Sequence, residues 1–160
     1  MSNGFSMTYK QITDPNFGQA MQFLTSQGMP IKVSYNIKKL TDAIQIARKQ
    51  IGAEYHKEIV LEFAKKKEDG TIAHPLDADG KENKNEFDID EARKEELEKA
   101  QEAFGRKVYN INRDKIFLES LENMKISASL LGALDPILTE MSEELSGSGV
   151  VSAGNVTPLR

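Results

Sequence analysis

Between residues 37 and 63 the chain places Ile37, Leu40, Ile44, Ala47 and Ile51 at spacings of three and four, and Tyr55, Ile59 and Phe63 continue the series by fours. Residues three and four apart share one face of an α-helix, so this spacing predicts one amphipathic helix. It starts with Ser34 or Asn36 as cap and ends at about Lys67. Roughly 30 residues at 1.5 Å each give about 45 Å, more than the remaining chain can easily cover. The natural cover is a second helix, in which Asp88 and Glu91 have capping-box spacing. Ile89, Ala92, Leu97, Ala100 and Phe104 form its apolar face, and Gly105 stops it. An antiparallel helical hairpin is therefore expected. The alternative is that an exposed end of the long helix packs on another subunit.

Shorter elements flank this pair. Thr13 or Asp14 caps a helix with Pro15 in its first turn and a stripe of Phe17, Ala20, Met21 and Leu24, closed by Gly28. "MPIKVSY" alternates Ile31, Val33 and Tyr35 with Lys32 and Ser34, which predicts a half-buried strand. Val108, Tyr109 and Ile111, followed by Ile116, Phe117 and Leu118, predict further short strands that join Ile31 in a small sheet. Ser127 or Ser129 caps a turn bearing Leu130, Leu131 and Leu134, and Asp135 and Pro136 restart it with Ile137, Leu138 and Met141. The expected fold class is α+β and predominantly α: a long antiparallel helical hairpin, a small β-sheet and extended N- and C-terminal arms. Residues 1–12 read as the N-terminal arm, 13–145 as one α-rich domain with a turn-rich insertion at 68–87, and 146–160 as the C-terminal arm.

One stretch comes close to a chemical motif. "PLDADGKENKNE", residues 75–86, puts Asp77, Asp79, Gly80 and Glu86 at positions three, five, six and twelve of an EF-hand loop. Pro75 stands where the first carboxylate belongs, and Glu82 where an apolar residue pairs with a sister loop. Asp69-Gly70 and Asp79-Gly80 are explained as turns, so no metal is expected. His56 and His74 have no matched spacing and read as surface residues. Glu95, Glu96, Glu98 and Glu102 alternate with Arg93, Lys94 and Lys99, the pattern of a solvated helix face. "SGSGVVSAGN" lacks the lysine and following helix of a phosphate loop. Lys65 to Lys67, with Lys38, Lys39, Arg48 and Lys49, form the best basic cluster, but Asp42, Glu54, Glu58 and Glu62 dilute it. No catalytic residue and no cofactor are expected, so the chain reads as a non-enzyme.

Composition narrows the class further. The 160 residues, 39% hydrophobic and 29% charged, suit one globular domain. With no cysteine, disulfides and thiolate chemistry are excluded. No apolar run approaches a membrane span, and "MSNGFSMTYKQ" lacks a signal-peptide block, so an intracellular protein is expected. A formal charge of −4 argues against a specific nucleic-acid partner.

Paired with this pattern, "IKVSYNIKKLTDAI" and "KIFLESLENMKISASLLGALDPIL" resemble a loose family of short tailed-bacteriophage proteins of unknown function encoded among virion genes, over residues 30 to 140. The resemblance implies a virion protein, present in the host cytoplasm before assembly, with no catalytic residues to carry over. The polar, small-residue ends bury too little to fold alone and suit arms that order on a partner. Phe5, Tyr9, Val150, Val151, Val156 and Leu159 are their apolar points and the expected partner contacts. The expected function is a non-enzymatic structural subunit of the head, neck or tail, binding other virion proteins and copies of itself. No membrane or small-molecule substrate is expected. The alternative is an acidic phage inhibitor or adaptor that binds a host protein through the Glu-rich helix from Asp88 to Glu102.

Overall fold

The computed structural model describes residues 4–140, and the chain over that span is predominantly helical with two small two-stranded sheets. A strand β1 (Phe5–Thr8) leads directly into α1 (Tyr9–Thr13) and α2 (Pro15–Thr25). Thr8 and Gln11 form a reciprocal capping box at α1, and the Asp14 carboxylate accepts from the Asn16 N–H to cap α2, with Pro15 at its start. The long helix α3 (Ile31–Tyr55) follows, then a π-helical turn at His56–Val60 and the short α4 (Leu61–Phe63). A single 3₁₀ turn at Glu91–Arg93 opens α5 (Lys94–Gly105). Next come β2 (Val108–Ile111), β3 (Ile116–Phe117), α6 (Ala128–Leu134) and β4 (Leu138–Thr139).

All five residues of the expected stripe, Ile37, Leu40, Ile44, Ala47 and Ile51, are buried, as are Ile59 and Phe63. A four-residue step overshoots one helical turn by about 40°, so three such steps in a row would carry the stripe off the core. The π turn, in which the Leu61 N–H reaches back to the His56 carbonyl, is wider and returns Ile59 and Phe63 to the buried side.

The segment read as a strand is the first turn and a half of α3. The five-residue alternation in Ile31, Val33 and Tyr35 is too short to decide between periods. Pro30, at the N-cap with φ −50°, begins the helix without needing a donor. Ile31 therefore pairs with no strand, and the small sheet is built differently. β1 and β2 run antiparallel, with Phe5 opposite Ile111 and Thr8 opposite Val108, while β3 and β4 pair in parallel.

Residues 5–12, expected as part of an extended arm, belong to the domain. Met7 and Ile12 are fully buried, and the Tyr9 N–H donates to the Lys107 carbonyl at 2.9 Å. The positional requirement is sharpest at Gly4, whose φ is +65°. A Cβ there would sit 2.7 Å from the Ile111 carbonyl oxygen.

The long stripe is covered mainly by α1, α2 and β2. Arg48 on α3 donates to the Ile12 carbonyl at 3.3 Å, just before α2, and Leu24 at the far end of α2 shares a cleft with Ile37, so α2 and α3 run antiparallel. α6 closes the other side of α2, with Leu134 and Ile137 fully buried. α5 meets the long helical run at Tyr55, whose hydroxyl accepts from the Gln101 amide at 3.0 Å and whose ring lies edge-on to Phe104 at 5.3 Å. The residues flanking α5 add the Arg93–Glu62 pair at 3.0 Å and the Lys107–Glu54 pair at 3.3 Å.

The region from 64 to 90 is a meander hydrogen-bonded to itself. The Lys65 N–H donates to the Asp88 carbonyl, the Ala73 N–H to the Lys65 carbonyl and the Asp88 N–H to the Ala73 carbonyl. The two Asp-Gly pairs are turns, with Gly70 and Gly80 at φ +82° and +76°.

Candidate functional site

The expected partner contacts divide into two groups. Phe5 is half-buried in β1 with the Lys115 ammonium 5.5 Å from its ring centroid, and Tyr9 packs edge-on against Phe104 at 5.2 Å. Both are thus engaged in the fold of their own chain. Val150, Val151, Val156 and Leu159 lie outside the described residues.

The motif at 75–86 resolves into backbone capping. Asp77 Oδ1 accepts from the N–H groups of Asp79 and Lys81, both at 2.9 Å, and the Asn83 side chain accepts from the Asn85 N–H. Glu82 forms an ion pair with Lys67. Asp77 and Asn83 thus shape turns, and Glu82 ties this turn to the start of the meander at Lys67.

A denser polar group ties β2 to the end of α3. Glu54 Oε2 accepts from the Tyr109 hydroxyl at 2.9 Å and lies 3.3 Å from the Lys107 ammonium, while its other oxygen accepts from the Gln50 amide at 2.8 Å. Lys107 also reaches Glu58 at 2.6 Å. The bonds from Gln50, Tyr109 and Lys107 hold the Glu54 carboxyl below its usual range. Lys107 is raised, chiefly by its bond to Glu58. Burial, together with the bond to Glu54, pushes the Tyr109 phenol up. These bonds fasten β2 to the end of the long helix, with two carboxylates sharing the single Lys107 ammonium.

Beside it, the π turn opens onto a groove of about 940 Å³ floored by Val60, Ile72, Phe87 and Leu97, with both His56 and His74 on its wall. Sequence spacing had not brought the two histidines together, because the meander folds His74 back toward the helix. His74 is committed: its Nδ1 lies 2.6 Å from the Glu86 carbonyl oxygen. Among the described residues no group of three or more His, Cys, Asp or Glu side chains is arranged to hold a metal ion.

The feature missed by sequence reading is the second face of α3. At about 100° per residue, Ile31, Tyr35, Lys38, Asp42, Ile46 and Lys49 fall on a stripe opposite the buried one. Ile31, Tyr35 and Ile46 on it are 85%, 58% and 68% exposed. Lys38 and Asp42 between them form an exposed ion pair at 2.7 Å. That bond to Lys38, with the charges of Lys39 and Arg113, lowers the Asp42 carboxyl. The signal was the four-residue interval from Ile31 to Tyr35, hidden by the two-residue alternation through Val33.

Compared with protein-family models, curated proteins and solved structures, the chain matches none of them.

Proposed function

We propose that the protein is a non-enzymatic structural subunit of a tailed-bacteriophage particle, assembling with copies of itself and with other virion proteins. The observation that carries this reading is the bare outer stripe of α3. A helix whose inner face is fully covered within its own chain leaves Ile31, Tyr35 and Ile46 in water. Three large apolar side chains aligned over about 22 Å, 15 residues at 1.5 Å, suit a partner helix better than solvent.

The stripe is self-complementary. A twofold axis through the face near residue 40 would lay two α3 helices antiparallel, with Tyr35 of each copy opposite Ile46 of the other and Lys38 opposite Asp42. In the single chain the Lys38–Asp42 pair is largely exposed, with side chains 69% and 52% accessible, so re-pairing across the axis costs little. α5 serves as the short second arm of a helical hairpin that steadies the far end of the long helix at Glu54 to Glu62. Val150, Val151, Val156 and Leu159 are proposed to supply further contacts to neighbouring subunits.

The alternative adaptor role would use the glutamates of α5, which form exposed pairs as readily exchanged as Lys38–Asp42, so it is the apolar stripe of α3 and not this pairing that favours self-assembly. Glu95 pairs with Lys99 at 2.9 Å, Glu102 with Arg106 at 2.6 Å and Glu96 with Arg93 at 3.4 Å. Peptide mass spectrometry of purified phage particles tests the assignment. A virion subunit is present in many copies, and deletion of residues 146–160 prevents its incorporation. Absence from particles, or normal incorporation of the truncated chain, contradicts the role given to that segment or to the protein.

A further inference from the structure

The basic residues singled out in the sequence do not form one surface. Lys38 is paired with Asp42, Arg48 is spent on the Ile12 carbonyl, and Lys67 is paired with Glu82. Lys39 goes elsewhere. With Arg113 and Lys115, more than 70 residues away in the chain, it lines a cleft of about 350 Å³ between the start of α3 and the segment around β3.

Three cations share this concavity with a single carboxylate, Asp114, in a chain whose formal charge is −4. None of the three is in an ion pair among the described residues; the nearby Asp42 carboxylate, on which the Lys39 and Arg113 charges also act, is bonded to Lys38. Two are placed by aromatic rings: the Lys39 ammonium lies 5.3 Å from the Tyr35 centroid and that of Lys115 lies 5.5 Å from the Phe5 centroid. Like charges facing one cleft repel, and a concave wall concentrates their field, so a bound anion relieves the repulsion. Asn36 and Ser120 add neutral hydrogen-bonding groups, and Tyr35 and Phe117 add aromatic surface. Cations for phosphate beside rings for a planar base form the recognition set of a nucleotide. The volume lies at the small end of ligand pockets, which run from about 300 Å³ upward.

We infer that this cleft binds a nucleotide phosphate, with Lys39, Arg113 and Lys115 on the phosphate and Phe117 against the base, while Tyr35 on its rim stays with the self-association stripe. The nucleotide is either free or one unit of a strand; the chemistry is the same. A site for one nucleotide needs no extended basic face and so agrees with the acidic balance of the chain. Arg113 and Lys115 lie off the self-association stripe, so the cleft is tested without disturbing assembly.

Calorimetric titration of the full chain at low ionic strength with adenosine monophosphate, inorganic phosphate and a short oligothymidylate decides the matter. Adenosine monophosphate or the oligonucleotide binds, more tightly than phosphate. The Arg113→Ala/Lys115→Ala variant weakens binding about tenfold or more, the loss expected when charge-assisted hydrogen bonds are removed. Lys65→Ala/Lys66→Ala leaves it unchanged. Binding of the monophosphate alone assigns a free ligand, and binding of the oligonucleotide alone assigns a strand. Should the double variant lose its native circular dichroism, Lys39→Gln carries the same expectation. No binding of any probe, phosphate binding as tightly as the monophosphate, or equal loss in the Lys65/Lys66 control overturns the inference.

Discussion

The Tyr109 hydroxyl donates to Glu54 Oε2 at 2.9 Å, joining β2 to the last turn of α3 across 55 positions of sequence. Because β2 also pairs with β1, this bond links the N-terminal strand to the long helix. Tyr109→Phe keeps the buried ring and removes only the hydroxyl. Glu54 retains Gln50 and Lys107, so urea denaturation should show a loss of about 0.5–1.5 kcal/mol.

Glu54 also makes the stability depend on pH in a stated direction. Its folded-state carboxyl lies below the ordinary glutamate value of 4.5, so its contribution is fully present above that pH. The contribution is lost as the pH falls through the lower folded-state value. The stability difference between the native chain and Glu54→Gln should therefore be constant near neutrality and shrink below about pH 4.5, measured by urea denaturation at each pH. A difference that grows on acidification would contradict the assigned shift.

The two faces of α3 should respond oppositely to truncation. Ile44 is buried against the covering elements, and Ile44→Ala should cost about 2–5 kcal/mol. Ile46 stands in solvent in the single chain, and Ile46→Ala should change monomer stability by about 0.5 kcal/mol or less. Thermal melts of the two variants at low protein concentration give the comparison.

Gly4 tests whether the N-terminus is an arm or a strand of the domain. At φ +65°, with the Ile111 carbonyl in the way of a Cβ, Gly4→Ala should destabilise the whole domain by about 1–3 kcal/mol. A melting temperature equal to that of the native chain would return residues 4–8 to the role of a loose arm.

What the sequence disclosed was local. The Asp14 cap with Pro15, the stripe from Ile37 to Ile51, the Ser127 cap at α6 and the strand at Val108 to Ile111 each rest on residues within a few positions of one another. What it concealed was mostly long-range. Phe5 pairs with Ile111, a register that no nearby residue specifies, so the polar N-terminus looked like an arm. Asp88, expected as a helix cap, is instead held by Lys65 and Ala73, and Asp90 caps the 3₁₀ turn through the Ala92 N–H. The apolar points of the chain ends stand out in the sequence, while the outer stripe of α3 is masked because Ile31 and Tyr35 alternate through Val33 with the period of a strand. Three cations from two distant segments met in one cleft, and spacing carries no trace of that.

Self-association through the outer stripe of α3 is the central claim, and sedimentation velocity on the native chain and Ile46→Glu is its most direct test. The native chain should sediment as a dimer at tens of micromolar. Ile46→Glu sets a carboxylate against Tyr35 of the second copy and should sediment as a monomer with an unchanged melting temperature when dilute. A native chain that is monomeric throughout, or an Ile46→Glu variant that dimerises as well as the native chain, would contradict it.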